Sequence, residues 1–354
     1  MTDLLLHIGS PKAGSSSIQS SLWRRSELCS PGDGPVLLPP NPLGRPMPSG
    51  FIAACYQPVD QLPRYLAARY RRDPLQFKDE VVRYQEILSD ILAQNKSAIL
   101  SSEFLFRFSE QQIKDLCAWF SGLGVRRFRV LVYIRDPVSA YGSFLQQWLR
   151  ISDDLAPYNP WTWSYKIRLH LESWRSVFGP DELVVRSFDR DQLKEGSVVA
   201  DFYQQCSSWF EMVINGPEEG GVNQSLGVEA LMLVQDLIKS VPMSRREELS
   251  WMSNMAKINR LLRDQSVGLD CSPLRLRPAV CKLIYNQHAD DLNWLAETYG
   301  IVLGSKNSLD LFDRLPVSKQ VSGLGDLVKP PQNPALIDQL RHRLLEAVVR
   351  EGLQ

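Results

Sequence analysis

The stretch DLLLHIGSPKAGSSS, residues 3–17, decides the fold. Leu4 to Ile8 form a short apolar run that Gly9 stops, and Gly14 to Arg25 is compatible with a helix, so the opening reads strand, loop, helix. A junction of this kind aims the free amides of a helix N-terminus, and the positive end of its dipole, at one point. An anion fits there. A Gly/Ser-rich turn with no ligand is the plain alternative.

Downstream the same alternation recurs. Residues 78–94 space Val81, Val82, Ile87, Leu88, Ile91 and Leu92 at helical intervals, SAILSSEF (97–104) reads as a second strand, and residues 110–124 read as a helix closed by glycine. FRVLVYI (128–134) is the most β-rich run and lacks alternation, which predicts burial on both faces. Asp136-Pro137 then supplies a cap and a first-turn proline for a helix over about 137–150. ELVVRSF (182–188) is a later strand. Strands alternating with helices at these distances predict an α/β fold with a central parallel sheet flanked by crossover helices. Beyond residue 196 the pattern is mostly helical: 196–207, 227–239, 245–264, 278–299 and 334–351. The Pro- and Gly-crowded stretch from Cys29 to Pro63 excludes a long helix, and residues 316–333 read as a loop or arm. The expected division is a core over 1–215 and a helical C-terminal portion over 216–354.

Composition narrows the function. Forty basic residues balance forty acidic ones, with 23% charged and 44% hydrophobic residues, which disfavours bulk disorder and a nucleic-acid backbone as partner. The six cysteines show no metal-binding spacing and read as reduced thiols. No run of about 20 apolar residues predicts a transmembrane segment, and the N-terminus lacks a basic signal-peptide region, so the cytoplasm is the expected location.

The Gly9-to-Gly14 spacing matches the G-x-x-x-x-G of a Walker A loop, which places lysine at position 15; here Ser15 stands there and the lysine is Lys12, inside the loop. G-x-P-K-x-G-[ST]-[ST] after a first strand resembles the 5′-phosphosulfate loop of sulfotransferases that use 3′-phosphoadenosine 5′-phosphosulfate (PAPS). The resemblance extends to VLVYIRDPVSAYGSF, where Arg135 closes a strand and Ser143 follows eight residues later. More loosely it covers residues 182–202 and the N-x-S-L segment in GVNQSLGVEALML (221–233), most of residues 3–235 in all.

The resemblance implies a P-loop NTPase-like core and a PAPS site needing no metal. Pro11, Lys12, Ala13, Gly14, Ser15, Ser16 and Ser17 would wrap the 5′-phosphosulfate, and Arg135 and Ser143 would hold the 3′-phosphate. Arg135 has a fork of donors suited to phosphate, although an arginine after a strand is often only a surface ion-pair partner. Lys12 is expected to stabilise the leaving phosphate. Glu103 stands where carbohydrate sulfotransferases carry a catalytic glutamate, which makes it the candidate base; a helix-capping Glu103, or one paired with Arg107, is the alternative. His7 reads as a buried strand residue or, less simply, as the base. The expected acceptor is a carbohydrate or glycosylated small molecule, shaped by the aromatic stretch at Tyr158, Trp161, Trp163 and Tyr165 together with the Pro-rich loop after Cys29; the same aromatics equally fit a core. Two other functions stay open: a Mg²⁺-dependent kinase or NTPase with Asp136 on the metal, and a nucleotide-binding protein without turnover. Oligomeric state is not legible.

Overall fold

The structure, a computed structural model, describes residues 2–28, 34–39, 41–43, 49–94, 97–216, 225–246, 251–304 and 320–351. Cys29, the Asn-containing start of the segment at 221–233 and residues 316–319 of the expected arm lie outside them.

The fold is α/β, built on five strands: β1 (Thr2–His7), β2 (Val36–Leu37), β3 (Ser97–Ser101), β4 (Val125–Ile134) and β5 (Leu183–Ser187). Their spatial order is β2-β3-β1-β4-β5 and every pairing is parallel. Leu5 sits between Ile99 of β3 and Arg129 of β4, so the first strand of the chain is the centre of the sheet. Leu4, Leu5 and Leu6 are wholly buried, as a strand covered on both faces demands. The chain leaves β1 for the β2 edge, returns to β3, then crosses β1 to build β4 and β5. The order reverses at β1, and the crevice beyond the carboxyl ends of its neighbours is the natural ligand site of an open α/β sheet.

The described chain divides into two compact units. The first comprises Met1–Asp136, Lys166–Gly220 and Asp290–Leu303 and contains the sheet; the second comprises Pro137–Tyr165, Gly221–Ala289 and Gly304–Gln354. On one face of the sheet Leu5, Leu131 and Tyr133 pack with Ile18 and Leu22 of α1 (Ser15–Leu28) and with Phe202, Cys206 and Trp209 of the helix Val198–Phe210. The second unit is mostly helical. Its core gathers Leu145, Leu149, Leu231, Val234, Leu262, Ile284, Leu340 and Leu344 from the helices Pro137–Leu149, Val228–Ser240, Trp251–Gln265, Pro278–Gln287 and Leu336–Glu351. The helix expected over 278–299 is two helices, Pro278–Gln287 and Ala289–Tyr299. His288 lies between them with its Nδ1 2.7 Å from the carbonyl of Ile284. No helix among the described residues is long and apolar enough to cross a membrane.

One buried polar knot ties β4, β5 and a helix together. Asp201 is fully buried; its Oδ1 accepts from Arg186 Nε at 2.6 Å and from the Tyr133 hydroxyl at 2.8 Å, while its Oδ2 accepts from Arg186 Nη2 at 2.6 Å. Ser197 caps the same helix through the amides of Val199 and Ala200. A fork-on-carboxylate pair of this kind is costly to break from one side, because the remaining charge is left uncompensated. Arg186→Leu should therefore lower the unfolding free energy by about 3 to 5 kcal/mol in urea titrations. Replacing Arg186 and Asp201 together by apolar residues should cost less than that single change.

Candidate functional site

Beyond β1 the chain does not leave the sheet at once. The Tyr133 amide donates to the carbonyl of Gly9 at 2.7 Å, and the Ser10 amide and hydroxyl both donate to the carbonyl of Tyr133, at 2.9 and 2.8 Å. The start of the loop is thus an extension of the β1–β4 ladder. Three residues of the loop then take the left-handed region: Gly9 (φ 101°), Lys12 (φ 67°) and Gly14 (φ 82°). A Cβ at Gly9 would stand 3.2 Å from the Cα of Glu103, and one at Gly14 would stand 2.8 Å from Phe188 Cε2 and Val198 Cγ1. Backbone conformation and close approach both demand glycine at these two positions. Lys12 has no such freedom, and a lysine held at positive φ costs energy that its surroundings must offset.

Arg135 supplies part of that support. It follows β4, its Nη1 donates to the carbonyl of Lys12 at 2.9 Å, and its guanidinium lies 5.5 Å from the ring centroid of Phe188, the residue after β5. The guanidinium of Arg135 therefore stands against the loop that carries the Lys12 ammonium. Of the remaining loop residues, Ala13 and Ser15 are buried, Pro11 and Lys12 half-buried, and Ser16 and Ser17 exposed. Ser15 opens α1, where the amides of Ser17 and Ile18 donate to the carbonyl of Gly14 at 3.0 and 3.1 Å. Ser143 lies half-buried on the helix Pro137–Leu149 and belongs to the second unit.

Glu103 stands on the other side of the loop, at the exit of β3. The Ser102 amide donates to the carbonyl of His7 at 2.9 Å and its hydroxyl to the carbonyl of Ser49 at 2.6 Å, which fixes the turn carrying Glu103. Burial pushes the Glu103 carboxyl above its ordinary range; the Lys12 and Arg107 charges and a hydrogen bond with Ser15 pull the other way. The carboxyl ends of β1, β3, β4 and β5 thus bring Lys12, Ser15, Glu103, Arg135 and Phe188 to one edge of the sheet. The arrangement offers a cation, a helix N-terminus, a planar donor fork and a carboxyl able to take a proton. Tyr65, whose phenol lies within electrostatic reach of Glu103, joins this edge without any signal in the sequence.

Two histidines lie in surroundings that disfavour their charged form. His7 is fully enclosed, its Nδ1 2.7 Å from Ser101 Oγ and its ring against Tyr133 and Phe202; burial presses its pKa down to about 3. It remains a neutral core residue. His170 is lowered to about 4 by burial and by Arg107 and Lys166. In the second unit Trp163 packs against Tyr141, Tyr165 and His288, and the Tyr158 carbonyl accepts from Tyr141. Trp163 and Tyr158 thereby line that unit's own core. Among the described residues no cluster of three or more His, Cys, Asp or Glu side chains could hold a metal ion, and the five described cysteines are free thiols. A cavity of about 230 Å³ lined by Leu5, Arg127, Arg129 and Trp209 lies towards the amino-terminal ends of the strands, away from this chemistry. Its arginines are paired with Asp3 and Glu182.

A carboxyl whose pKa is raised by folding binds its proton more tightly in the folded chain. The stability it contributes is present below the ordinary glutamate value, near pH 4, and is lost as pH rises through the raised one. Glu103→Gln should accordingly melt above the parent protein at pH 7 to 8 in calorimetry, with the two converging below about pH 4. A lower Tm for the variant at neutral pH would remove the buried-carboxylate account. No protein-family model matches this chain, and no curated protein is significantly similar to it.

Proposed function

We propose that the chain is a PAPS-dependent sulfotransferase whose first unit is a P-loop-type core, acting on a hydroxyl of a carbohydrate or glycosylated small molecule. The observation that carries this reading is the loop from Gly9 to Ser17, braced by Arg135 on the Lys12 carbonyl, with Glu103 against its other side. The residues fit the co-substrate on chemistry. A doubly phosphorylated adenosine needs cationic donors for two phosphates, and the loop amides with Lys12 serve one while the Arg135 fork suits the other. Phe188, already under a guanidinium, offers an aromatic face. PAPS supplies the sulfuryl group: a bond forms from the acceptor oxygen to sulfur, and the bond from sulfur to the bridging oxygen breaks, leaving adenosine 3′,5′-bisphosphate.

Catalysis in this scheme is positioning and charge stabilisation. Lys12 holds positive charge where the leaving phosphate gathers negative charge. Glu103 takes the acceptor proton, and its raised pKa moves it closer to neutral pH, where a base exchanges protons most effectively. Because the base must be ionised, the acidic limb of the pH–rate profile should lie above the ordinary glutamate value and disappear in Glu103→Gln.

Ligand-dependent melting is the direct test. Adenosine 3′,5′-bisphosphate at one hundred times its Kd should stabilise the protein by about 2.7 kcal/mol, and ATP with Mg²⁺ should not. The opposite ranking would favour a metal-dependent phosphoryl transferase and end the proposal. Lys12→Ala should bind the bisphosphate yet lose about 10²- to 10³-fold in turnover. Glu103→Gln should lose about 10²- to 10⁴-fold.

A further inference from the structure

Close to Glu103 stands a segment that begins in the Pro- and Gly-crowded stretch expected to help shape the acceptor. Residues 49–65 are tied to the exit of β3 by a buried lattice. Gln19 Nε2 of α1 donates to Ser49 Oγ at 3.1 Å and to the Ser101 carbonyl at 3.3 Å, and Ser102 Oγ donates to the Ser49 carbonyl. Gln19, Ser49, Ser101 and Ser102 are each at most 7% exposed. From this anchor the Gly50 amide donates to the hydroxyl of Tyr65 at 3.0 Å. A Cβ at residue 50 would stand 2.3 Å from that hydroxyl, so glycine is what lets the tyrosine reach the main chain. The Tyr65 ring meets Phe104 edge to face, with centroids 6.5 Å apart, and remains 37% exposed.

An aromatic ring left open to solvent is ordinarily mobile, but this one is fixed at its hydroxyl and at its edge. That is a flat apolar surface prepared in advance for a ligand, so little ordering entropy is lost on binding. It lies within electrostatic reach of Glu103, whose carboxyl burial makes readier to take a proton. The nearby guanidinium of Arg69 is already paired with Glu80, whereas Arg107, exposed and within electrostatic reach of Glu103, makes no ion pair or hydrogen bond among the described residues.

The geometry points to Tyr65 and Phe104 as the platform on which the acceptor ring lies beside Glu103, and to an acceptor bearing an anionic group that Arg107 meets, an acidic sugar being the simplest member of that class. The assignment rests on the sulfotransferase reading and narrows its substrate.

The test pairs a methyl glucuronide with the neutral methyl glucoside as acceptors and follows adenosine 3′,5′-bisphosphate binding in parallel. Tyr65→Ala should raise KM for both sugars about tenfold, the size of a lost aromatic contact, with bisphosphate affinity unchanged. Tyr65→Phe, which keeps the ring but loses its tie to the Gly50 amide, should raise KM for both sugars by less than Tyr65→Ala does. Arg107→Gln should raise KM about tenfold for the glucuronide alone, the loss of one charge-assisted contact. Unchanged KM values in Tyr65→Ala, or equal effects of Arg107→Gln on the two sugars, overturn this inference while sulfation and bisphosphate binding still stand. Failure to bind the bisphosphate, or sulfation of neither sugar, overturns it together with the reading beneath it.

Discussion

Everything at the candidate site depends on the β1–β4 pairing continuing past the end of β1. Were the ladder to stop at His7, the loop would be a free Gly/Ser turn with no fixed direction. Because Gly9 and Ser10 remain bonded to Tyr133, the chain reaches Pro11 with its path set, and Lys12 is driven into a conformation that lysine does not favour. Arg135, two residues beyond Tyr133, then takes the Lys12 carbonyl. One strand end therefore both shapes the loop and supplies its brace. The Asp201 knot secures that strand from beneath, since the Tyr133 hydroxyl is one of its donors.

Charge is distributed across the edge in a way that keeps a carboxyl useful. Burial raises the proton affinity of Glu103, and full neutralisation by a cation would lower it. The opposing pulls of desolvation on one side and Lys12, Arg107 and Ser15 on the other leave it between those limits. The loop also passes close to the main chain of Glu103 at Gly9, where a Cβ would stand 3.2 Å from the Glu103 Cα, so the segment that carries the cation and the residue that carries the carboxyl are packed together.

Local signals account for what the sequence revealed. Apolar runs ended by Gly9 and Arg135, and Asp136-Pro137 after a strand, are punctuation that neighbouring residues impose, and they located β1, β3, β4, β5 and the loop before any coordinates. What escaped was settled by distant partners. β2 is two residues long and exists only because Val36 and Leu37 pair with Ala98 and Ile99. The break at His288 falls where neither proline nor glycine marks it, with the ring Nδ1 2.7 Å from the Ile284 carbonyl. Glu103 was legible as a residue following a strand, but its shifted proton affinity comes from what buries it. Tyr65 sits in an arginine-rich helix whose sequence suggests a solvated face, and only the amide of Gly50 and the ring of Phe104 give it direction. Ser143 kept its spacing from Arg135, yet the chain passes into the second unit at Pro137, a division that no composition shift marks.

The central position of β1 has a consequence for how the molecule comes into being. Both neighbours of this strand are supplied from far downstream: His7 and Ser101, adjacent in the sheet, are 94 residues apart in the chain, and Ser10 reaches across 123 residues to Tyr133. Strand β1 has no neighbour to pair with until β3, 94 residues further along the chain at Ser101, has been made, and such long-range closure is slow. The loop from Gly9 to Ser17 acquires its shape only once both halves of the sheet have come together around it. On the proposed function, ligand capture by this edge is a late event in maturation, one that reports the assembly of the whole sheet.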